Sequence, residues 1–342
     1  MTLRLLSLRP THLALLPLLA SAAYAEEIRL HFPLACVPGQ TCFVQHYVDQ
    51  DSGPGARDYT CGSRTYDKHN GTDFRIRTGA EAKEEPGTVL AVAAGRVLRG
   101  RSDMADGRER GSDAAAVKGQ ECGNGLVIAH DDGWESQYCH MARASLRVRP
   151  GDTVSAGQPI GQVGLSGETE FPHLHLTLRH GGKVIDPFAP DATEGTCDPG
   201  ALAPARRTLW SPEAQALLAY RAGTILNAGF ADGPVAMQAV ESGAVHAPGP
   251  DAAALVAYVR VIGLDAGDVQ SLTLAGPDGR TLAERVEPAL ERSRAQSLLF
   301  AGRKRPPEGW PPGRYTARFT LRRGAAVALE RDWTIEPAQA RP

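Results

Sequence analysis

Short β-prone runs, each closed by Gly, Asp or Pro, constrain this chain more than any other feature. Thr88 to Val97, Gly125 to Ala129, Trp134 to His140, Pro159 to Gly164 and His173 to Arg179 are all of this kind, and the pattern predicts strands joined by tight turns. Asp131-Asp132-Gly133 between two of them reads as a hairpin turn. The 37 Gly and 25 Pro among 342 residues exceed the usual combined share of roughly 12%, which again favours short elements. Beyond a Pro/Ala-rich boundary from Cys197 to Arg207, Ser211-Pro212-Glu213 starts a short helix, with Ser as N-cap and Pro in the first turn, running to about Ala222. Strands return from Thr224 onward: Ala254 to Ile262, Val269 to Ala275, Thr281 to Val286, Ser297 to Ala301, Arg314 to Leu321 and Val327 to Ile335. Their regular spacing predicts a smaller β-sandwich of immunoglobulin-like type. The expected fold class is all-β, with antiparallel sheets.

The first residues read as an export address. Arg4 and Arg9 precede an apolar run from Leu13 to Ala20, and Ala23-Tyr24-Ala25 forms a small-x-small cleavage site before Glu26. Pro17 interrupts that run, which is too short to span a bilayer. No other segment is a candidate membrane span. Lys+Arg at 37 against Asp+Glu at 39 gives a net charge of −2. Without a basic run, nucleic acid and anionic membrane surfaces are excluded as partners. The expectation is an exported protein, periplasmic or secreted. All six cysteines (Cys36, Cys42, Cys61, Cys122, Cys139 and Cys197) follow the cleavage site, so they read as disulfides rather than as metal ligands. Six cysteines allow fifteen pairings, and sequence does not choose among them. Cys36 with Cys42 would close a short loop. Cys122 and Cys139 flank the expected hairpin, and Cys61 with Cys197 would then join the two ends of one domain.

Histidine and carboxylate spacing points to chemistry. His69 and Asp73 are four apart around Gly71, in a segment that reads as turn and strand. Side chains on extended chain alternate with period two, so residues four apart share a face. His173-Leu174-His175 likewise puts two imidazoles on one face of a strand. Two His and one Asp form a common zinc set that leaves a fourth position open, as catalytic sites require. His31, His46, His180 and His246 carry no such spacing and are expected to be ordinary surface or core histidines.

From about Thr65 to Pro187 the chain resembles the lysostaphin/LytM-type zinc metallopeptidases, a family of peptidoglycan-cleaving endopeptidases. The matches fall in the family's order: His69-x-Gly71-x-Asp73; Val89-x-Ala91 to Gly95-x-Val97; Gly123-Asn124-Gly125 with Val127 and Ile128; His130-x-Asp132-Gly133; Tyr138-x-His140-Met141; Gly151-Asp152-x-Val154 to Gly161; Gly167; Pro172-His173-Leu174-His175; and Asp186-Pro187. The resemblance covers a little over a third of the chain. It implies that His69, Asp73 and His175 are zinc ligands, and that His140 and His173 are catalytic histidines facing the attacking water and the scissile carbonyl. No H-E-x-x-H glutamate is present, so a neutral imidazole would take the water's proton.

The expected organisation is then a signal peptide over 1–25, an N-terminal segment over 26–60, the zinc metallopeptidase domain over 61–195, a linker with a short helix over 196–223, and the β-sandwich over 224–342. The implied substrate is the peptide of peptidoglycan, with any protein partner of the C-terminal sandwich left open. Two other readings stand beside it, a non-catalytic activator of another wall hydrolase and a secreted protein-cleaving peptidase. The departures from the family pattern are the polar insertion between Gly100 and Gly123, Cys139 and Met141 around His140, and Gly167 to Phe171. The insertion reads either as a mobile gate over the cleft or as a tolerated surface loop.

Overall fold

The computed structural model describes residues 27–107, 117–193, 195–200 and 207–336. The export address and the middle of the insertion lie outside them. The N-terminal half carries strands β1 (Cys42–His46), β2 (Thr72–Ile76), β3 (Thr88–Leu90), β4 (Gly95–Arg101), β5 (Asn124–Ala129), β6 (Trp134–Met141), β7 (Thr153–Val154), β8 (Pro159–Gln162), β9 (His173–His180) and β10 (Lys183–Val184). One antiparallel sheet runs in the order β1-β2-β9-β6-β5-β4-β7, with β10 added on β9, and β3 pairs with β8 in a small second sheet. The expected run from Thr88 to Val97 is therefore two strands in different sheets. The chain crosses between them at 91–94, where the Val92 amide donates to the Tyr138 hydroxyl (2.8 Å) instead of to a strand partner. Strand β1 was not expected at all.

Asp131-Asp132-Gly133 does connect β5 to β6, with Asp132 and Gly133 both in the left-handed region (φ 55° and 76°). Phe74, Leu174, Leu176, Ile128, Tyr138 and Trp210 form much of the core behind the sheet. Helix α1 (Pro212–Leu217) has Ser211 as its N-cap, accepting from the Ala214 amide at 3.2 Å. It stops five residues before the expected end. All three anticipated disulfides form: Cys36–Cys42, Cys61–Cys197 and Cys122–Cys139.

The C-terminal half adds β11 (Thr224–Ala231), a second helix α2 (Met237–Ser242), β12 (Ala254–Leu264), β13 (Val269–Ala275), β14 (Thr281–Val286), β15 (Arg294–Lys304), β16 (Tyr315–Arg323) and β17 (Ala326–Ile335). Sheets β11-β12-β15 and β14-β13-β16-β17 enclose one core that includes Val259, Leu272, Tyr315 and Phe319. This is a sandwich of two antiparallel sheets. It docks on the N-terminal half through charge. Glu241 of α2 pairs with both Arg75 of β2 and Arg260 of β12, and the Gln45 amide donates to the Ala295 carbonyl at 3.0 Å.

Candidate metal and catalytic site

Sheet register assembles the site. Asp73 of β2 lies directly across from His175 of β9, and Arg75 from His173. Directly opposed residues share a face, so Asp73, His173 and His175 all project into one cleft of about 630 Å³. His69 reaches the same point from the turn ahead of β2, where Lys68 takes a positive φ of 63°. Gly71 lets that turn pass close to β9. A Cβ there would lie 2.6 Å from His175 Nε2 and 2.7 Å from the Leu176 carbonyl oxygen.

His140 arrives by a different device. In a regular strand Cys139 and His140 would face opposite ways, yet both line the cleft. The β5–β6 register slips between Asn124 and Leu126, and His140 takes φ 63°. An extra residue in the left-handed region is a bulge that re-aims a side chain, and for a residue other than Gly it costs of order 1–3 kcal/mol. The surroundings hold it. The His140 amide donates to the Cys122 carbonyl (2.8 Å), and its own carbonyl accepts from the Gly164 amide (2.9 Å).

Each imidazole has one nitrogen committed to the protein. His69 Nδ1 donates to the Tyr47 carbonyl (2.6 Å), which leaves Nε2. His175 Nε2 faces Asn70 Oδ1 (3.1 Å) and Thr177 Oγ1 (3.0 Å), which leaves Nδ1. His140 Nδ1 donates to the Ser166 carbonyl (2.9 Å) and His173 Nδ1 to the Phe171 carbonyl (2.9 Å). The uncommitted atoms converge. His69 Nε2 lies 3.2 Å from Asp73 Oδ1 and 3.1 Å from His175 Nδ1, and His175 Nδ1 lies 2.9 Å from Asp73 Oδ1. Ligands about 2.0–2.1 Å from a tetrahedral zinc ion stand about 3.3 Å from one another. The donor set of His69, Asp73 and His175 therefore fits zinc in both chemistry and spacing. A second cluster, His140, His173 and His175, shares one member with it.

The electrostatics follow. Burial opposes the charge on Asp73, but the imidazoles of His69 and His173 and its hydrogen bonds outweigh that and hold the carboxyl well below its usual range. Burial, then His173 and His175, hold the His140 imidazole well below its ordinary value. His175 is lowered chiefly by burial. For His69 burial is overcome by Asp73, with a net rise.

All five sequence-derived residues thus meet in one place. The structure adds others. His46, expected to be an ordinary histidine, is buried beside Asp73, its Nδ1 3.0 Å from Asp73 Oδ2. The rings of Tyr66 and His69 lie 4.4 Å apart, and Arg75 sits 4.2 Å over the ring of Phe171, which in turn lies 4.7 Å from that of His173. Ala295 of the sandwich also lines the cleft. The described ends of the insertion are pinned rather than loose. Met104 and Asn124 exchange hydrogen bonds (2.8 and 2.7 Å), and the Gly107 amide donates to the Leu165 carbonyl (2.7 Å).

Residues 67–187 match the model of peptidase family M23. Among curated proteins the chain is 32% identical over 68 residues to the cell division protein DipM of Caulobacter vibrioides, which covers 20% of this chain and 11% of that protein. It is 28% identical over 116 residues to the DD-carboxypeptidase/endopeptidase Mpg of Neisseria meningitidis, which covers 34% of this chain and 23% of that protein. The chain thus spans less than a quarter of the length of these relatives. Among solved structures, the catalytic domain of the prophage-encoded M23 protein EnpA from Enterococcus faecalis is 26% identical, with 49% of this chain and 98% of that chain covered at a TM-score of 0.31.

Proposed function

Residues 67–187 belong to peptidase family M23, the lysostaphin/LytM-type metallopeptidases, and from that membership we propose that the chain is an exported zinc-dependent endopeptidase hydrolysing peptide cross-links of cell-wall peptidoglycan. The observation that carries this reading is the convergence of His69 Nε2, Asp73 Oδ1 and His175 Nδ1 within 3.2 Å of one another, with two further imidazoles beside them. Those three residues would hold the zinc. When bound, the ion supplies Lewis acidity that polarises the scissile carbonyl and acidifies water. His140, neutral through burial and with Nδ1 occupied by Ser166, accepts the water's proton at Nε2. His173 turns Nε2 into the same cleft, 3.4 Å from Asp73 Oδ1, and is left to steady the developing oxyanion. Phe171 and the Asp73 side hold its ring in place.

The test is incubation of the mature protein with purified sacculi, followed by mass spectrometry of the muropeptides. Cross-linked dimers should become monomers, and a chelator should stop the conversion. Unchanged dimers with zinc-loaded protein would refute the reading and leave the non-catalytic activator and the protein-cleaving peptidase in its place.

A further inference from the structure

His46, Asp73, His175 and Cys139 form one row across the sheet, each opposite the next on neighbouring strands. The proposed chemistry uses Asp73 and His175 and gives His46 no task. Yet strand β1 is shaped to deliver it. Its register against β2 slips between Val44 and His46, and this extra residue places His46 rather than Gln45 opposite Asp73. Gln45 turns instead toward Ala295. His46 is 8% exposed, and its ring meets those of Tyr66 and His69 edge-on, with centroids 5.3 and 5.8 Å away.

The two oxygens of Asp73 are divided between neighbours. Oδ1 faces His69 Nε2 (3.2 Å) and His175 Nδ1 (2.9 Å), whereas Oδ2 takes His46 Nδ1 at 3.0 Å. A carboxylate turns about its last torsion with little resistance, so a donor on one oxygen decides which way the other points. We propose that His46 is a positioning residue of the metal site. It donates Nδ1–H to Asp73 Oδ2 and thereby holds Oδ1 toward the ion that His69 and His175 share. The inference rests on the zinc reading above. Loss of such outer partners commonly costs about 10–100-fold in metal affinity.

The experiment measures zinc affinity of the full-length mature protein by competition with a chromophoric chelator, with no substrate present. His46→Leu removes the donor and should weaken zinc binding about 10–100-fold. His46→Asn places an amide N–H where Nδ1 stood and should recover most of that loss. His46→Gln carries its amide one bond further out and should recover less, so the Asn–Gln comparison still decides if the Leu variant fails to fold. A Leu variant that binds zinc as tightly as the parent overturns the proposal, as do Asn and Gln variants of equal affinity. A parent that takes up no zinc refutes the metal reading itself, which separates the two failures.

Discussion

Among the described residues Glu241 is the one carboxylate shared by two buried arginines, and its removal should be felt throughout the molecule. Arg75 and Arg260 are both 0% exposed and Glu241 is 6% exposed. Arg75 also donates to Gln45 and Gln296 (both 3.2 Å), and Arg260 to Asn227 (2.8 Å). Burial pulls both guanidinium pKa values down, with Glu241 opposing the shift. Breaking a buried ion pair by deleting one partner costs about 3–5 kcal/mol, because the remaining charge is stranded. Glu241→Leu strands two, so the upper end applies. At about 2–4 °C per kcal/mol for domains of 150–250 residues, the melting temperature should fall by about 10–20 °C. Calorimetry on the mature protein reads this directly.

The partner experiment replaces the whole cluster, with Arg75→Met, Glu241→Leu and Arg260→Met together. Apolar replacement of such triads is often neutral or stabilising by about 1–4 kcal/mol, so the melting temperature should return to the parent value or exceed it. Turnover should not return with it, because the cation over Phe171 has gone and Phe171 packs against His173. A shift below about 2 °C for Glu241→Leu, equivalent to less than about 1 kcal/mol, would refute the argument that the cluster is desolvated and charge-dependent.

Four further outcomes are expected. Asp73→Ala should abolish stoichiometric zinc uptake while leaving the far-ultraviolet circular dichroism unchanged; elemental analysis showing one zinc per chain would remove Asp73 from the ligand set. His140→Asn, which tolerates the left-handed backbone, should keep zinc and lose about 10²–10⁴-fold in turnover, and parental activity would exclude His140 as the base. Gly71→Ala drives a methyl into His175 and the Leu176 carbonyl, and it should cost about 1–3 kcal/mol together with weaker zinc binding; parental affinity and melting temperature would contradict the packing. In metal-free protein, burial holds His130 and His140 below the ordinary imidazole value. The unfolded chain then takes up those protons first as pH falls, so their stabilisation is full above about pH 6.5 and declines below it. His69, raised by Asp73, works the other way and loses its contribution as pH rises. The melting temperature should therefore drop from about pH 7 to about pH 5, and a rise on acidification would show that His69 dominates.

What could be read from sequence was what local periodicity controls. His173 and His175 share a face because they are two apart on one strand, and the pairing of Asp73 with His175 extends that face to the next strand. The cysteine pairs were within reach because each closes a loop or joins neighbouring chain ends. His46 was not readable. Nothing in Cys42-Phe43-Val44-Gln45-His46 marks its last residue, whose importance arises from pairing with a strand 27 positions on and from a one-residue slip in register. The run from Thr88 to Val97 misled for the same reason, since continuous β-propensity does not reveal where a chain leaves one sheet for another.

The two halves of the site are held by different means, and the Cys122–Cys139 disulfide belongs to one of them. Asp73 and His175 sit on hydrogen-bonded strands, where regular geometry fixes them at little cost. His140 sits in a strained bulge, and a backbone at positive φ persists only where its surroundings over-determine it. Three hydrogen bonds do so here, to Cys122, Gly164 and Ser166. The Cys122–Cys139 disulfide ties the residue just before His140 to the residue whose carbonyl receives its amide. The covalent bond and the hydrogen bond thus link the same two segments side by side. The same disulfide fastens the described end of the insertion, through Cys122, to the strand that carries the proposed base. The proposed metal site rests on strand register and the proposed base on a cross-linked bulge, so a substitution that relaxes the bulge should leave zinc uptake intact.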